Sequence, residues 1–248
     1  MKTILLLTAS ILIATQGFSQ RFGGGGLGDG AGSSGGSNMM FDFHSRTIDL
    51  NQKALAFGLA EAEFAAIKDQ AYLNTNFLVG NIYQDENLLK SNVPMRYNAY
   101  ADEIEIKNHI SEENYGALMK DPSIYAKISK DIYVFIPYDG SNEKGGYFNV
   151  LNDGKTYDLY KKTTSLFREP QKAKTSYGRD TPPSFTKNVK YYLVEDGSFL
   201  EMPSRKSKVI KMMDKKKTEI KAYIKDNDIN MNKEADMIKL VSYFDSLL

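Results

Sequence analysis

The chain has 248 residues, of which 42% are hydrophobic, with 32 basic and 31 acidic side chains and no cysteine. The lack of cysteine excludes disulfides, thiolate metal sites and thiol nucleophiles, and the near balance of charge excludes a general attraction to nucleic acid or anionic membranes. Such a length is enough for one sizeable hydrophobic core or two small ones.

Residues 1–19 have the composition of a secretory signal peptide. Lys2 precedes an apolar run of 11 residues, Ile4 to Ala14, which is shorter than the roughly 20 residues that span a bilayer. Gly17 and Ser19 are small, as a signal-peptidase site requires, so we expect cleavage before Gln20. The sequence therefore predicts export to the periplasm, the outer-membrane periphery or the cell exterior, with no integral membrane segment left after cleavage.

Residues 20–38, which follow the predicted cleavage site, are rich in glycine and serine. They contain too few apolar side chains to offset the entropy of ordering the backbone, so we expect a flexible tether. Residues 30–35 fit the dinucleotide-binding pattern G-x-G-x-x-G, and residues 32–36 fit the nucleophile pattern G-x-S-x-G. Neither follows a strand or directly opens a helix, so low complexity explains both better than a binding or catalytic site.

The folded region is predicted to begin near Met39 with one helix. Residues from Gln52 to Asp69 have helical composition. Four apolar residues share one face of that helix: Leu55, Leu59, Ala62 and Ala66. From about Asn76 the pattern changes to short β segments.

Ten strands are predicted: Phe77–Tyr83, Val93–Tyr97, Asp102–Lys107, Asp131–Tyr138, Gly146–Leu151, Thr156–Lys161, Ser165–Arg168, Phe185–Val189, Lys190–Val194 and Ser198–Met202. Two Asp-Gly pairs, at 153–154 and 196–197, predict tight hairpins because both residues accept positive φ. The lack of a helical period between the strands favours an antiparallel meander, as an open barrel or a sandwich.

Residues 204–248 predict a helical hairpin packed on the same domain. Ser204 is a candidate N-cap, and roughly Asn227 to Asn230 join the two helices. The apolar stripes are Val209, Met213, Ile220 and Ile224 on the first helix, and Met237, Leu240, Val241, Phe244 and Leu248 on the second. The expected fold class is therefore α+β, with a β-rich domain over residues 39–203 and the C-terminal helical hairpin against it.

No metal site is predicted. Asp226, Asp228 and Asn230 match the first ligand positions of an EF-hand, but methionines stand where that calcium loop needs its glycine and its bidentate glutamate. The two histidines, His44 and His109, have no metal-ligand spacing around them.

Charge is unevenly distributed along the chain. Residues 205–226 carry nine basic against three acidic side chains, and residues 84–121 carry eight acidic against four basic ones. We expect the basic helix to be a solvated face, with a docking surface for an acidic partner as the alternative. The two segments could also attract each other within one domain or across a homodimer.

Six blocks of sequence form a recognisable set: Gly80–Tyr83, Met95–Glu105 with the pattern RYN-x-Y-x-DE-x-E, Gly146–Leu151, Leu159–Lys161, Tyr191–Leu193 and Ile238–Phe244. Together they resemble a family of exported, uncharacterised proteins common in Bacteroidota. The resemblance covers roughly residues 76 to 248. It implies no activity, cofactor or catalytic residue.

The second block holds five candidate binding residues: Arg96, Tyr97, Asn98, Asp102 and Glu103. Arg96 should point away from the face that Met95 and Tyr97 share, and Asp102, Glu103 or Glu105 on the neighbouring strand could pair with it. A cross-strand salt bridge is the preferred interpretation of Arg96, and a ligand-binding arginine is the alternative.

Three functional classes stay open. The preferred one is a non-enzymatic, exported interaction protein whose partner is another envelope protein and which binds no nucleic acid or cofactor. The second is a carrier that encloses a lipid, peptide or small apolar ligand, motivated by 16 tyrosines and 13 phenylalanines in a β-rich chain. The third, a hydrolase with paired carboxylates, has no pair that the sequence can name.

Overall fold

The computed structural model describes residues 59–138, 140–175 and 177–248, without the side chains of residues 142–144. The predicted signal peptide, the predicted tether, His44 and the first part of the predicted N-terminal helix lie outside the described residues.

Ten strands of the described chain form one antiparallel sheet, which is not closed. They are β1 (Leu78–Gln84), β2 (Asn87–Asn98), β3 (Glu103–Ile106), β4 (Gly116–Ala117), β5 (Ile124–Ile128), β6 (Asp131–Tyr138), β7 (Ser141–Asn152), β8 (Asp158–Arg168), β9 (Ser184–Glu195) and β10 (Ser198–Glu201). From β1, the strands β2 to β4 extend the sheet in one direction and β5 to β10 extend it in the other. The predicted α+β class with an antiparallel meander is confirmed.

The sheet curls until the turn between β2 and β3 meets β8. The Ser165 N–H donates to the Ala99 carbonyl at 2.9 Å, and the Tyr97 hydroxyl donates to the Thr163 carbonyl at 3.0 Å. A hydrophobic core fills the inside of this curl. Its largest fully buried side chains are Tyr147, Phe135, Ile82, Met95, Ile104 and Ile106.

Two strands of the described chain were not predicted, and four others, β2, β7, β8 and β9, are longer than predicted. β5 and the two-residue β4 were not predicted. β8 joins the predicted strands 156–161 and 165–168, and β9 joins 185–189 and 190–194. The polar residues at these junctions continue the ladder because β8 and β9 pair residue by residue from Asp158↔Val194 to Arg168↔Ser184. Ladder hydrogen bonds come from the backbone, so polar side chains there do not end a strand.

The described part of the chain contains four α-helices: α1 (Glu61–Ile67), α2 (Lys206–Met212), α3 (Lys217–Asp226) and α4 (Glu234–Ser246). The predicted face of α1 is wrong, because Ala62 and Ala66 are exposed while Phe64 is buried. Phe64 packs with Leu59, Tyr72 and Phe185 in a small cluster at one end of β9. The larger aromatic side chain thus sets which face of this short helix is buried.

The C-terminal helices pack their predicted apolar stripes on β8 and β9. Both stripes are buried with Leu159 and Leu193 in a second core, although Leu248 at the chain end is 51% exposed. The predicted first helix is divided at Met213, whose ψ of 45° leaves the helical range before a 3-10 turn over Asp214–Lys216. The predicted cap is wrong, because Arg205 occupies the N-cap position and makes no side-chain cap bond.

The two predicted Asp-Gly hairpins have different geometries. Asp196 and Gly197 have φ values of 48° and 78°, as a tight two-residue turn requires. The β7–β8 connection is instead a longer loop, residues 153–157, and Gly154 is not left-handed. A Cβ on Gly154 would collide with the Tyr157 carbonyl and the Asp245 carboxylate. Glycine is needed there for close approach to α4, not for positive φ.

Replacing Asp245 with alanine is expected to lower the free energy of unfolding by about 2–3 kcal/mol. The Asp245 carboxylate at the end of α4 accepts N–H bonds from Lys155, Thr156 and Tyr157 at 2.7, 2.7 and 2.8 Å. Its removal would leave these donors unpaired against the helix. Urea denaturation measures the loss. The control is Asp226→Ala at an exposed helix end, and an equal loss in both variants would contradict the proposed anchoring.

Candidate functional site

The predicted cross-strand salt bridge of Arg96 is confirmed, with Glu105 as the partner. Arg96 on β2 lies directly opposite Glu105 on β3, and Nε lies 2.6 Å from Oε2. The Glu105 side chain is only 5% exposed, and its second oxygen accepts a hydrogen bond from Asn98 Nδ2 at 2.8 Å. The carboxylate is therefore buried with both oxygens satisfied.

Every nitrogen of the Arg96 guanidinium has a partner within the chain. Nη1 donates to the Thr75 carbonyl at 2.8 Å, and Nη2 donates to the Tyr72 hydroxyl at 3.1 Å. The guanidinium carbon lies 3.9 Å from the centre of the Tyr72 ring and 4.4 Å from that of Phe77. These contacts favour the structural interpretation of Arg96.

Tyr97 and Asp102 meet in a second polar network, which joins the β2–β3 turn to β7 and β8. Asp102 pairs with Lys162 Nζ at 2.5 Å and accepts hydrogen bonds from the Tyr97 hydroxyl at 2.6 Å and the Tyr147 N–H at 3.2 Å. Burial lowers the pKa of Lys162, and the Asp102 charge opposes that shift. A Cβ at Gly146 would collide with the ends of the Asp102 and Lys162 side chains, so any other residue there would push these two ends aside.

The predicted binding residues thus divide between two networks inside the fold. Arg96 and Asn98 converge on Glu105, whereas Tyr97 and Asp102 converge on Lys162. Asn98 also accepts N–H bonds from Tyr100 and Ala101, which shapes the turn. Glu103 is half-buried and pairs with Asn98 through the backbone. A ligand-binding role for these residues stays a prediction.

An open groove lies between β9 and the C-terminal helices, and we call it the β9 groove. It has a volume of about 680 Å³. Its lining residues are Val189, Lys190, Tyr191, Glu201, Met202, Pro203, Ser204, Arg205, Lys208, Met231, Asn232 and Met237. Three methionines with 2–8% exposure, Met202, Met231 and Met237, give it an apolar floor. Exposed Arg205 and Lys208 give it a basic rim.

β9 has an open edge beside this groove. β10 covers only its last residues, Tyr192 to Glu195, and the Met202 N–H donates to the Tyr191 carbonyl at 2.8 Å on the same outer side. Alternate residues of a strand point their backbone groups to the same side, so the N–H and C=O of Val189 and Lys187 also point outwards. Within the described chain no strand pairs with this side of residues 186–190, which we call the open edge.

Three other polar side chains of the groove, Lys190, Glu201 and Tyr191, have partners in the chain. Lys190 pairs with Glu201 at 2.7 Å on the exposed rim. The Tyr191 hydroxyl donates to Glu234 at 3.1 Å, and Glu234 also pairs with Lys161 at 2.9 Å. Burial, with the nearby Glu234 charge, raises the pKa of Tyr191 to about 12, so this hydroxyl stays a donor at neutral pH.

Sequence reasoning did not identify the β9 groove. In the sequence, Arg205 and Lys208 belong to a basic segment and Met231 to the rejected calcium loop, while Met237 belongs both to that loop and to the predicted apolar stripe of the second helix. The one usable signal was the alternative interpretation of the basic helix as a docking surface for an acidic partner. The groove is lined by the end of β10, the residues that lead into α2, and residues 231, 232 and 237 near the start of α4, and no local pattern predicts that these segments meet beside β9.

Among the described residues, no group of three or more histidine or acidic side chains is arranged to hold a metal ion. None of the described helices has both the length and the apolar character needed to cross a membrane. No protein-family model, no curated protein and no solved structure matches this chain.

Proposed function

We propose that the protein is an exported, non-enzymatic interaction protein that binds an extended segment of another polypeptide in the β9 groove. The single observation that carries this proposal is the open edge of β9 lying beside a methionine-lined groove. Export is supported by the signal-peptide composition of residues 1–19 and the glycine-rich segment after them.

An open strand edge is a template for an added strand. It offers backbone donors and acceptors to any extended peptide, and adjacent apolar pockets take alternate side chains of that peptide. Proteins usually block such edges with proline, bulges, covering elements or charged side chains such as lysine, and Lys187 and Lys190 are the charged residues on this edge. The described ladder shows no register shift along β9, and residues 186–190 contain no proline. Methionine side chains adapt to differently shaped partners, which suits the floor of a groove that binds a polypeptide.

The carrier hypothesis has less support from the same molecule. Aromatic and aliphatic side chains occupy the inside of the curled sheet, where Tyr97, Phe135 and Tyr147 are at most 3% exposed. A carrier needs an internal space of several hundred cubic ångströms for its ligand. The β9 groove offers a comparable volume, but at the surface and along a strand edge.

A selection from a random library of linear peptides tests the proposal, followed by binding measurements on the enriched peptides. Val189→Pro removes the outward N–H that an added strand needs, and no intramolecular hydrogen bond depends on that N–H. We expect this variant to bind enriched peptides about tenfold more weakly, as the loss of one main-chain hydrogen bond implies.

Val189→Ala is the matched control, since it keeps the N–H and removes only the side chain. We expect its affinity to stay within about threefold of the original. Thermal unfolding of both variants checks that the sheet is intact. Equal binding by the original protein and a folded Val189→Pro variant would show that peptides do not pair with the open edge.

A further inference from the structure

The rim of the β9 groove has an excess of positive charge. Arg205 and Lys208 are exposed, and within the described chain neither forms a salt bridge. Lys187, on the open edge itself, is also exposed and forms no such pair. The acidic lining residue, Glu201, is already neutralised by Lys190 at 2.7 Å. A bound segment would therefore face three cations without counter-charges.

We infer that the occupant of the β9 groove is an acidic strand of a partner protein, in which Asp or Glu residues alternate with apolar ones; this inference rests on the proposed function. Side chains of an added strand alternate between its two faces, so one set can reach the methionine floor while carboxylates meet Arg205, Lys208 and Lys187. Complementary charge of this kind contributes chiefly to specificity and to the rate of association.

The basic character continues from the groove onto the neighbouring helices. α2 and α3, with the turn between them, carry exposed lysines including Lys206, Lys211, Lys217 and Lys221. Only three acidic residues lie in the whole 205–226 segment. An acidic partner would thus be attracted over a wide surface, and the β9 groove adds an apolar floor and outward-pointing backbone groups to its cations.

Three labelled octapeptides test the inference by fluorescence anisotropy with the full chain. One alternates glutamate and leucine, and the other two carry glutamine or lysine in place of glutamate. We expect the glutamate peptide to bind about tenfold more tightly than the glutamine peptide at low salt, and this preference to shrink as ionic strength rises. The lysine peptide should bind most weakly of the three.

Charge reversal in the groove provides the decisive comparison. The double variant Arg205→Glu with Lys208→Glu should abolish the preference for the glutamate peptide. The double variant Lys217→Glu with Lys221→Glu makes the same charge change at exposed sites on α3, outside the groove lining. This variant should keep most of the preference for the glutamate peptide. An equal loss in both variants would overturn the inference, because a diffuse field would then explain the preference.

The remaining outcomes separate this inference from the proposed function. If the glutamine peptide binds as tightly as the glutamate peptide and Val189→Pro weakens both, the groove binds polypeptides without charge selection, and only the inference fails. If none of these peptides binds and the random library yields no binder that depends on Val189, the proposed function fails with it. If the protein binds anionic phosphatidylglycerol vesicles more strongly than the glutamate peptide, the groove is a membrane-binding site and the inference fails. If the protein self-associates and the Arg205 and Lys208 reversal blocks this, the groove binds a second copy of the chain and the inference fails.

Discussion

Replacing Arg96 with alanine is expected to lower the free energy of unfolding by about 3–5 kcal/mol. The variant leaves the Glu105 carboxylate buried at 5% exposure with only Asn98 as a partner. It also removes a guanidinium that stacks on Tyr72 at 3.9 Å and on Phe77 at 4.4 Å. Breaking a buried ion pair is costly because one charge stays in the protein interior without compensation.

Two further variants test whether the loss of stability in Arg96→Ala comes from leaving a buried charge unpaired. Lys190→Ala breaks the Lys190–Glu201 pair, whose side chains are 43% and 53% exposed, and should leave stability almost unchanged because solvent screens such a surface pair. The double variant Arg96→Met with Glu105→Leu removes both buried charges and should recover much of the stability lost in Arg96→Ala. Urea denaturation measures all three. A loss below about 1 kcal/mol in Arg96→Ala would show that the pair contributes no more than a surface pair.

The Arg96–Glu105 pair shows which structural features could be predicted from sequence. Strict alternation over Met95 to Tyr97 and over Glu103 to Glu105 assigns each residue to a face, and the short turn between these strands sets which residues lie opposite one another. The structure agrees, with Arg96 opposite Glu105 and Met95 opposite Ile106. The Asp196-Gly197 turn was predictable for the same reason, since its conformation depends on two adjacent residues alone.

Features that depend on distant partners were not predictable. The loop over residues 153–157 takes its shape from Asp245, which is about ninety residues away in sequence. The polar middle of β8, residues 162–164, suggests a loop until it is seen to pair with β9. β5 alternates buried Ile124, Ala126 and Ile128 with more exposed residues, so its pattern was present, but it is short and flanked by turns. The β9 groove belongs to this class as well, because two separate chain segments meet there.

The two polar networks restrict where function can lie in this protein. The RYN-x-Y-x-DE-x-E segment supplies Arg96, Tyr97, Asn98 and Asp102, and the hydrogen bonds of these residues within the chain hold the curl of the sheet together. The β9 groove, in contrast, leaves backbone groups and cations without partners in the described chain. Groups whose partners are missing from the fold are the ones available to another molecule, which is why the groove and not the signature segment carries the proposed function.

Raising the pH above about 10 is expected to unfold the protein steeply. Five tyrosines are at most 5% exposed, and four of them, Tyr72, Tyr97, Tyr133 and Tyr147, carry this effect. Burial raises the pKa of each above its ordinary value of 10.0, to about 12 for Tyr133. The Asp102 charge raises the pKa of Tyr97 and Tyr147 further, because a tyrosinate there would lie beside a carboxylate.

Stability falls at high pH because the folded chain keeps the tyrosine protons that the unfolded chain releases. In the unfolded chain these tyrosines release their protons near pH 10, whereas the folded chain keeps them, so their contribution to stability is complete below about pH 10 and is lost as the pH rises toward the folded pKa values. Four such groups lower the free energy of unfolding by on the order of 5 kcal/mol per pH unit. Lys162 makes the free energy of unfolding change in the opposite direction with pH, because burial lowers its pKa. The four tyrosines outweigh this single lysine. A total stability of about 5–15 kcal/mol would be exhausted within a few pH units.

Urea denaturation at a series of pH values above neutrality measures this slope, and the ultraviolet absorbance of tyrosinate reports when the phenols ionise. Tyr97→Phe should lower stability at neutral pH, since Asp102 loses a hydrogen bond at 2.6 Å. It should also reduce the alkaline slope by about 1.4 kcal/mol per pH unit, which corresponds to one proton fewer. Tyr177→Phe, at a fully exposed site, should change neither quantity. An equal dependence of the free energy of unfolding on pH in Tyr97→Phe and in the original protein would contradict this prediction. Tyr97 would then ionise as freely in the folded chain as in water, which requires the curled sheet around it to open before the protein unfolds.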